Sequence, residues 1–433
     1  MLRKKLIIGL GITGISCADF FYKRNIPFKI FDTRNKSFHN SIDSKLKRYS
    51  IEYEQYDSDY LDDVDQIIIS PGLDKSHIIF DHIIKRKIQI ITDIDLFKAH
   101  YKAPIISITG TNGKTTVVTM LEHVLRSLGL KSIACGNNGI PPLSVINENY
   151  DYIILELSSY QLEYMNNFSS YISLITNIDY DHIERHKNIE DYFNIKLRIF
   201  NDTQYLLINN KLCSQMNRSD IKSFGLIKNN KIQINGDIRD DLSCSDEMIF
   251  YKDRVLSFKG HHNLENILSI LSISSILKLN LLKTLDAIKK FDYLPHRIEL
   301  VKSTNNINWY NDSKSTNSAS TLAALKYIDK KIILILGGSH KNMNYIMLKD
   351  ILPSKVKLII YIGENKNYIK EQLNTNITSV EAKNMTDVIK IAKENAIPND
   401  NVLLSPASPS FDMFEDYIDR GNSFKKAVND LVE

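Results

Sequence analysis

Short, uninterrupted apolar runs alternate along this chain with longer segments whose apolar positions recur every three or four residues. The runs "KLIIGLG" (5–11), "FKIFDT" (28–33), "QIIISPG" (66–72) and "QIIT" (89–92) come first, followed by "PIISITG" (104–110), "YIILELSS" (152–159), "ISLITNI" (172–178) and "YLLIN" (205–209). A third group holds "KIILILGG" (331–338), "LIIYIGE" (358–364) and "NVLLSPA" (401–407). Runs of this length suit strands buried on both faces, and the helical periodicity between them supplies crossovers, so the pattern predicts an α/β chain with mainly parallel sheets. Three blocks follow: 1–92, 93–294 and 295–433, with junctions near 92–104 and near Leu294-Pro295. The Asn/Asp/Ser-rich stretch 209–260 breaks the alternation and reads as hairpins or an irregular excursion.

Bulk properties narrow the class. A length of 433 residues agrees with about three domains. The charges, a net +4, are interspersed without a Lys/Arg block, so no nucleic-acid partner is expected. Cys17, Cys135, Cys213 and Cys244 are scattered with no C-x-x-C spacing, which points to a reducing compartment rather than a zinc site or disulfide frame. The N-terminal "MLRKKLIIGLG" is too short and glycine-broken for a signal peptide, and no run approaches the ~18 apolar residues of a membrane span. A soluble, cytoplasmic protein without membrane insertion is the expectation.

Two glycine loops carry the first chemistry. "GLGITG" (9–14) follows a strand and opens a helix, and Asp32 ends the next strand, as in G-x-G-x-x-G pyrophosphate loops. Alone it fits a dinucleotide oxidoreductase, a nucleotide-sugar diphosphate site or a bare tight turn. "TGTNGKTT" (109–116) also lies on a strand-to-helix corner, ahead of an apolar stripe at Val117, Met120, Leu121, Val124, Leu125 and Leu128. Gly110, Thr111, Asn112, Gly113, Lys114, Thr115 and Thr116 thus form a phosphate loop, one glycine short of the usual spacing. Its backbone N–H groups and helix N-terminus favour phosphate, Lys114 can bridge phosphate oxygens, and the Thr115 hydroxyl can ligate Mg²⁺.

Glu156 ends one strand and Asp181-His182 follow another, where carboxylate and imidazole suit a nucleotide-bound cation. His182 and His186 flank Glu184 as H-x-E-x-H, which rules out the H-E-x-x-H zinc motif. Lys196 sits mid-stripe on an apolar helix face among Tyr192, Phe193, Ile199 and Phe200. Either it snorkels along that face or it is steered into the site.

Taken together, "TGTNGKTT", "ELSSYQLE" (156–163), "NIDYDHIERH" (177–186), "GHHNLEN" (260–266), "LPHRIE" (294–299) and "NDSKSTN" (311–317) resemble the Mur ligases, ATP-dependent enzymes that build the peptide stem of the bacterial cell wall. "GLGITGIS" with "DTR", "LLSPASPSFDMF" (403–414) and "DRGNSF" (419–424) are similar to the members that add D-glutamate to UDP-N-acetylmuramoyl-L-alanine. The resemblance runs from residue 5 to about residue 424. It implies a Rossmann-like N-terminal domain for the UDP-substrate, a P-loop ATPase-like central domain and a dinucleotide-binding-like C-terminal domain that receives the amino acid and closes on ATP.

It also implies residue roles. ATP falls to the phosphate loop with Asn263, Asn266, Arg297 and Asp312; catalysis to Lys114, Glu156, His182 and Lys196; two Mg²⁺ ions to Thr115, Glu156, His182 and a carbamylated Lys196. The UDP-substrate falls to Ile12, Thr13, Asp32, Thr33, Arg34, Gly72, Asn137, Ser158, Gln161 and His182, and D-glutamate to Lys314, Thr316, Lys341, Ser410, Phe411 and Tyr417. His296 reads as orienting or structural. A bacterial cytoplasmic monomer acting on small molecules is implied. Tyr417 where the family often has Phe, Ser339 where it has an acidic residue and Phe411 where it has Leu all depart on the acceptor side. A Mur-type ligase for another amino acid, a folylpolyglutamate synthase, an NAD-dependent oxidoreductase and a P-loop switch are the competing readings.

Overall fold

The computed structural model describes residues 3–34, 49, 51–54, 58–73, 77–166, 168–179, 183–216, 218–245, 247–258, 261–292, 294–340 and 343–431. Three sheets organise it. The first is built from β1 (Lys4–Ile8), β2 (Phe28–Asp32), β3 (Ile51–Tyr53), β4 (Val64–Ile69) and β5 (Gln89–Ile91), in the order β3-β2-β1-β4-β5 and parallel throughout. Helices α1 (Ile12–Lys23), α2 (Ile79–Arg86) and α3 (Asp93–His100) go with it. The apolar run of β1 buries Leu6, Ile7 and Ile8 completely, as the unbroken hydrophobic pattern requires of a strand covered on both faces.

The central sheet holds β6 (Ile105–Thr109), β7 (Ser132–Gly136), β8 (Tyr152–Glu156), β9 (Ser170–Ile175), β10 (Thr203–Asn209) and β11 (Ile221–Leu226), all parallel, in the order β11-β10-β9-β6-β8-β7. Its helices are α4 (Lys114–Ser127), α5 (Ser159–Tyr164), α7 (Ile189–Leu197), α8 (His261–Ile276) and α9 (Leu281–Lys289), while the short α6 (Ile183–His186), between α5 and α7 in sequence, groups with the third sheet. The stretch 209–260 takes the hairpin alternative: β12 (Lys231–Ile234), β13 (Asp237–Ser245), β14 (Met248–Tyr251) and β15 (Arg254–Ser257) add antiparallel strands beyond β11. The apolar stripe after the phosphate loop is buried as expected, with Val117, Met120, Leu121, Val124 and Leu125 fully covered.

The third sheet orders β16 (Glu299–Thr304), β17 (Ile307–Asn311), β18 (Ile332–Leu336), β19 (Val356–Tyr361), β20 (Thr378–Glu381) and β21 (Asn401–Leu404) as β16-β17-β21-β18-β19-β20, antiparallel only between β16 and β17. Helices α10 (Ser318–Tyr327), α11 (Leu352–Lys355), α12 (Lys366–Leu373), α13 (Met385–Asn395) and α14 (Tyr417–Asn429) complete it. Two units result: residues 1–178, 188–258 and 264–291 carry the first two sheets, and residues 179–187, 259–263 and 292–433 carry the third.

Within the first unit the two sheets share one apolar core, in which Cys17, Phe21, Phe97, Cys135 and Leu155 belong together. Tyr164 stacks on Phe80 with ring centroids 6.0 Å apart and donates its hydroxyl to Leu73 O at 3.0 Å, while Asn166 Nδ2 donates to Ile90 O at 2.9 Å. In each sheet the chain reverses its direction of winding at one crevice, beside β1 and β4, beside β6 and β9, and beside β18 and β21. Ligands of open α/β sheets bind outside the carboxyl ends of strands at such points, and every glycine loop singled out above lies at one.

Candidate active site

The first crevice is lined by the turn after β1. Gly14 permits the tight helix–strand approach: a Cβ there would lie 1.9 Å from Gly9 O. Asp32, buried at the end of β2, accepts from Leu10 N at 2.6 Å, and Arg34 binds both of its carboxylate oxygens, Nε at 3.0 Å and Nη2 at 2.8 Å. Burial alone raises the Asp32 pKa, but the Arg34 and backbone hydrogen bonds outweigh it and hold the carboxyl below its ordinary value. Ile12 is left 65% exposed beside it, Thr13, Thr33 and Arg34 are half-buried, and Gly72 is open. The structure thus brings these residues to one rim, with Asp32 as its buried anchor.

The second crevice holds the phosphate loop. Gly113 caps α4 with φ +83°, and Gly110 has φ +149° where a Cβ would fall 1.9 Å from Thr176 Oγ1, so both glycines are required by conformation and space. The loop is braced from the end of β9: Asn177 O accepts from Thr111 N at 2.9 Å, and its side-chain oxygen accepts from Asn112 N at 2.8 Å. Asn266 on α8 packs against the same glycine, close enough that a Gly113 Cβ would meet its Oδ1 at 2.6 Å. Lys114 folds back over the loop, donating to Gly110 O at 2.7 Å and Thr111 O at 2.8 Å, with Thr115 and Thr116 in the first turn of α4.

Lys196 resolves in favour of the site. It is only 1% exposed, donates to Gly110 O at 2.8 Å and to Thr109 Oγ1 at 3.3 Å, and its ammonium lies 4.7 Å from the Tyr192 ring centroid. Tyr192 in turn pairs its hydroxyl with Thr111 Oγ1 at 3.1 Å. Snorkelling would have carried the amine to water; instead it reaches the base of the phosphate loop. Glu156, at the end of β8 and 1% exposed, receives Asn137 Nδ2 on Oε1 at 2.9 Å, while its Oε2 has no hydrogen-bond partner among the described residues. An orphaned buried carboxylate oxygen is costly unless a cation or solvent meets it, so the donor set of Glu156 with Thr115 fits a hard divalent ion. Ser158 and Gln161 form a capping box at the head of α5, which accounts for the Ser158 hydroxyl and the Gln161 carbonyl oxygen.

His182 and Lys341 lie outside the described residues, as does Asp181. Asn263 is half-buried in the second unit.

The third crevice gathers the ends of β17, β18, β19 and β21. Asp312 is buried, accepts from Ser315 Oγ at 2.5 Å and Ser405 Oγ at 2.7 Å, and burial pushes its pKa up to about 6 against those bonds and the attraction of Arg297. Lys314 lies with its ammonium 3.6 Å over the Tyr417 ring centroid, a close cation–π contact. Thr316 follows on the same turn, its N–H on Lys314 O. Ser410 is buried and Phe411 is 69% exposed beside it. His296 is buried and receives Asn311 Nδ2 on Nδ1 at 2.8 Å; burial lowers its pKa, and a Cβ on Gly421 would sit 2.1 Å from that nitrogen. The ring is thus held between Asn311 and the backbone of Gly421.

Residues to which the motifs gave no role hold this crevice together. Arg420 is fully buried and donates to Ser313 Oγ and O at 2.9 and 2.8 Å and to Ser408 O at 2.9 Å; burial draws its pKa down to about 10. A buried guanidinium costs several kcal/mol unless such bonds meet it, and each charged bond returns about 1.5–3 kcal/mol. Asn177, quoted within "NIDYDHIERH", and Asn365 were equally without a role, although both follow strand ends, which is the signal that would have found them.

Comparison with known proteins finds relatives along nearly the whole chain. Residues 3–92 match the family model described as Mur ligase MurD-like, N-terminal domain, residues 108–273 the Mur ligase middle domain, and residues 296–408 the Mur ligase, glutamate ligase domain. The UDP-N-acetylmuramoylalanine--D-glutamate ligase of Buchnera aphidicola subsp. Schizaphis graminum is 38% identical over 99% of this chain and 98% of that protein. The protein of the same name from Francisella philomiragia is 34% identical over 99% of this chain and 97% of its own length. Among solved structures, UDP-N-acetylmuramate-alanine ligase of Thermotoga maritima superposes with a TM-score of 0.61 at 19% identity, covering 98% of this chain and 99% of that one. That likeness concerns the fold.

Proposed function

This chain belongs to the Mur ligase family, and from that premise we propose that it joins D-glutamate to UDP-N-acetylmuramoyl-L-alanine with hydrolysis of ATP to ADP and phosphate, as a cytoplasmic monomer in peptidoglycan precursor synthesis. The observation that carries the reading is the second crevice, where two lysines and a buried carboxylate oxygen without a partner among the described residues lie at a short phosphate loop. A carboxylate does not react with an amine at neutral pH, so it must first be activated. The carboxylate of the UDP-substrate attacks the γ-phosphorus of ATP, the bond to the bridging oxygen breaks, and ADP leaves an acyl phosphate. The amine of D-glutamate then adds to the acyl carbon, and the tetrahedral adduct collapses with loss of phosphate and a proton.

The chain's own groups suit these steps. Lys114 supplies positive charge to the transferring phosphoryl group, and the loop N–H groups orient it. Thr115 and Glu156, with His182 and Lys196 as its carbamate, would hold Mg²⁺, which supplies charge neutralisation between the reacting anions. Lys196 must take up CO₂ to act as an anion, and its seat at Gly110 O puts the amine next to the loop it would serve. Asn263, Asn266, Arg297 and Asp312 take ATP. Ile12, Thr13, Asp32, Thr33, Arg34, Gly72 and Asn137 take the UDP-substrate, with Ser158, Gln161 and His182 toward the reacting end. Lys314, Thr316, Lys341, Ser410, Phe411 and Tyr417 take the acceptor, whose two carboxylates call for cations and hydroxyls.

The test is phosphate release from ATP in the presence of UDP-N-acetylmuramoyl-L-alanine, Mg²⁺ and one amino acid at a time. Release that requires D-glutamate is expected. Release driven by L-lysine or meso-diaminopimelate instead overturns the assignment.

A further inference from the structure

Three loops at the carboxyl ends of β18, β19 and β21 meet so closely that their backbones leave no room for side chains. A Cβ on Gly338 would lie 2.0 Å from Pro409 O, and one on Gly363 would lie 2.8 Å from Gly338 Cα and 2.4 Å from Asp412 Oδ2. Loops in such contact cannot interdigitate side chains, so their register must come from hydrogen bonds. One residue supplies bonds to all of them. Asn365, at the head of α12, is 1% exposed. Its Oδ1 accepts from Gly338 N at 2.9 Å, and its Nδ2 faces Ser339 O at 3.2 Å, Tyr345 Oη at 2.9 Å and Ser408 Oγ at 2.9 Å. Tyr345, itself fully buried, closes the triangle with Ser408 Oγ at 2.9 Å. The Asn365 N–H also donates to Gly338 O at 3.1 Å, and Ser339 N donates to Pro409 O at 2.9 Å.

We propose that Asn365 is a positioning residue for the amino-acid acceptor: with Tyr345 it sets the segment Ser408–Ser410 against the loop of Ser339, and so fixes the Ser410 hydroxyl where an acceptor carboxylate binds. This rests on the reading of the third crevice as the acceptor site. Among the described residues Asn365 touches no group assigned to ATP or to the UDP-substrate, and its amide is spent on the loops. An amide suits the position because it accepts and donates at once, whereas a carboxylate keeps the bond from Gly338 N–H but sets an acceptor-only, buried oxygen against the Ser339 carbonyl. An alanine leaves the Gly338 N–H and the Ser339 carbonyl without their side-chain partner.

The experiment measures kcat, the KM of each of the three substrates, and Tm, for the full chain and for Asn365→Ala, Asn365→Asp and Tyr345→Phe. Asn365→Ala is expected to raise the KM for D-glutamate about tenfold or more, with those for ATP and the UDP-substrate within about twofold. Asn365→Asp, which keeps the acceptor for Gly338 N–H but loses the donor to the Ser339 carbonyl, is expected to raise the D-glutamate KM about as much as Asn365→Ala, and Tyr345→Phe to raise the D-glutamate KM alone by about threefold. Tyr345→Phe keeps the test decisive should Asn365→Ala fail to fold. Equal changes in all three KM values, or a lower Tm with unchanged KM values, overturn the proposal, because a purely structural residue would behave in that way. Wild-type protein that shows no D-glutamate-dependent phosphate release sinks the functional reading itself, a separate failure visible before any variant is made.

Discussion

Lys196 illustrates what a single residue reveals before and after folding. Its place on an apolar stripe was legible in the sequence, but the spacing left its direction open, since an amphipathic side chain can run outward as readily as inward. Packing decides the matter: the amine is drawn to Gly110 O and covered by Tyr192. If that amine serves as a carbamate, Lys196→Ala removes an anion from the site, and short carboxylates such as formate or acetate should restore part of the lost phosphate release. A folded Lys196→Ala protein that gains nothing from any of them argues against the carbamate. Residues whose role is to hold others were the hardest to read. Arg420 and Asn365 bond mainly to backbone carbonyls, N–H groups and hydroxyls far away in sequence, and no local spacing encodes such partners.

At the scale of elements, the buried parallel strands were legible because every residue of β6 or β18 faces core. The strand β7, "SIACG", was not, since small residues give little hydrophobic signal, and β16 with β17 lacked it because polar positions alternate with apolar ones at the edge of the third sheet. Helix α3 holds a conflict that no periodicity announces. Thr92 and Asp95 close its capping box, yet Asp93 in the first turn is buried against the Cys17 and Cys135 thiols, with Oδ1 unpartnered among the described residues. Burial pushes its pKa up to about 7, outweighing the backbone N–H bonds at the helix start; Asp95 adds to the rise. The folded protein therefore retains a proton that the unfolded chain has already released. The stabilising effect of that proton is complete below about pH 4 and is lost as pH rises through about 7. Melting temperature is expected to fall from pH 5 to pH 8, and Asp93→Asn to flatten that decline by a few degrees. Parallel curves for the two proteins would mean that the carboxyl ionises normally.

At the scale of the molecule, three α/β blocks were legible, together with the strand-to-helix corner on which each glycine loop sits; the crevices were not, because strand order is set by pairing between distant segments that no local pattern encodes. The union of the first two sheets into one unit was not, since it depends on Tyr164 and Asn166 finding Phe80, Leu73 and Ile90 across the junction. Removing that fastening with Tyr164→Ala is expected to raise the KM for the UDP-substrate about fivefold and to lower Tm, while ATP affinity holds. A uniform loss of both affinities would place the effect in the central sheet alone. The fastening has a further consequence. If the proposed substrate is held by its nucleotide at Asp32 and by its reacting end at the phosphate loop, it is gauged by a calliper whose jaws the protein itself has set. Discrimination by substrate length would then come from the junction, with no residue needed to inspect the part in between.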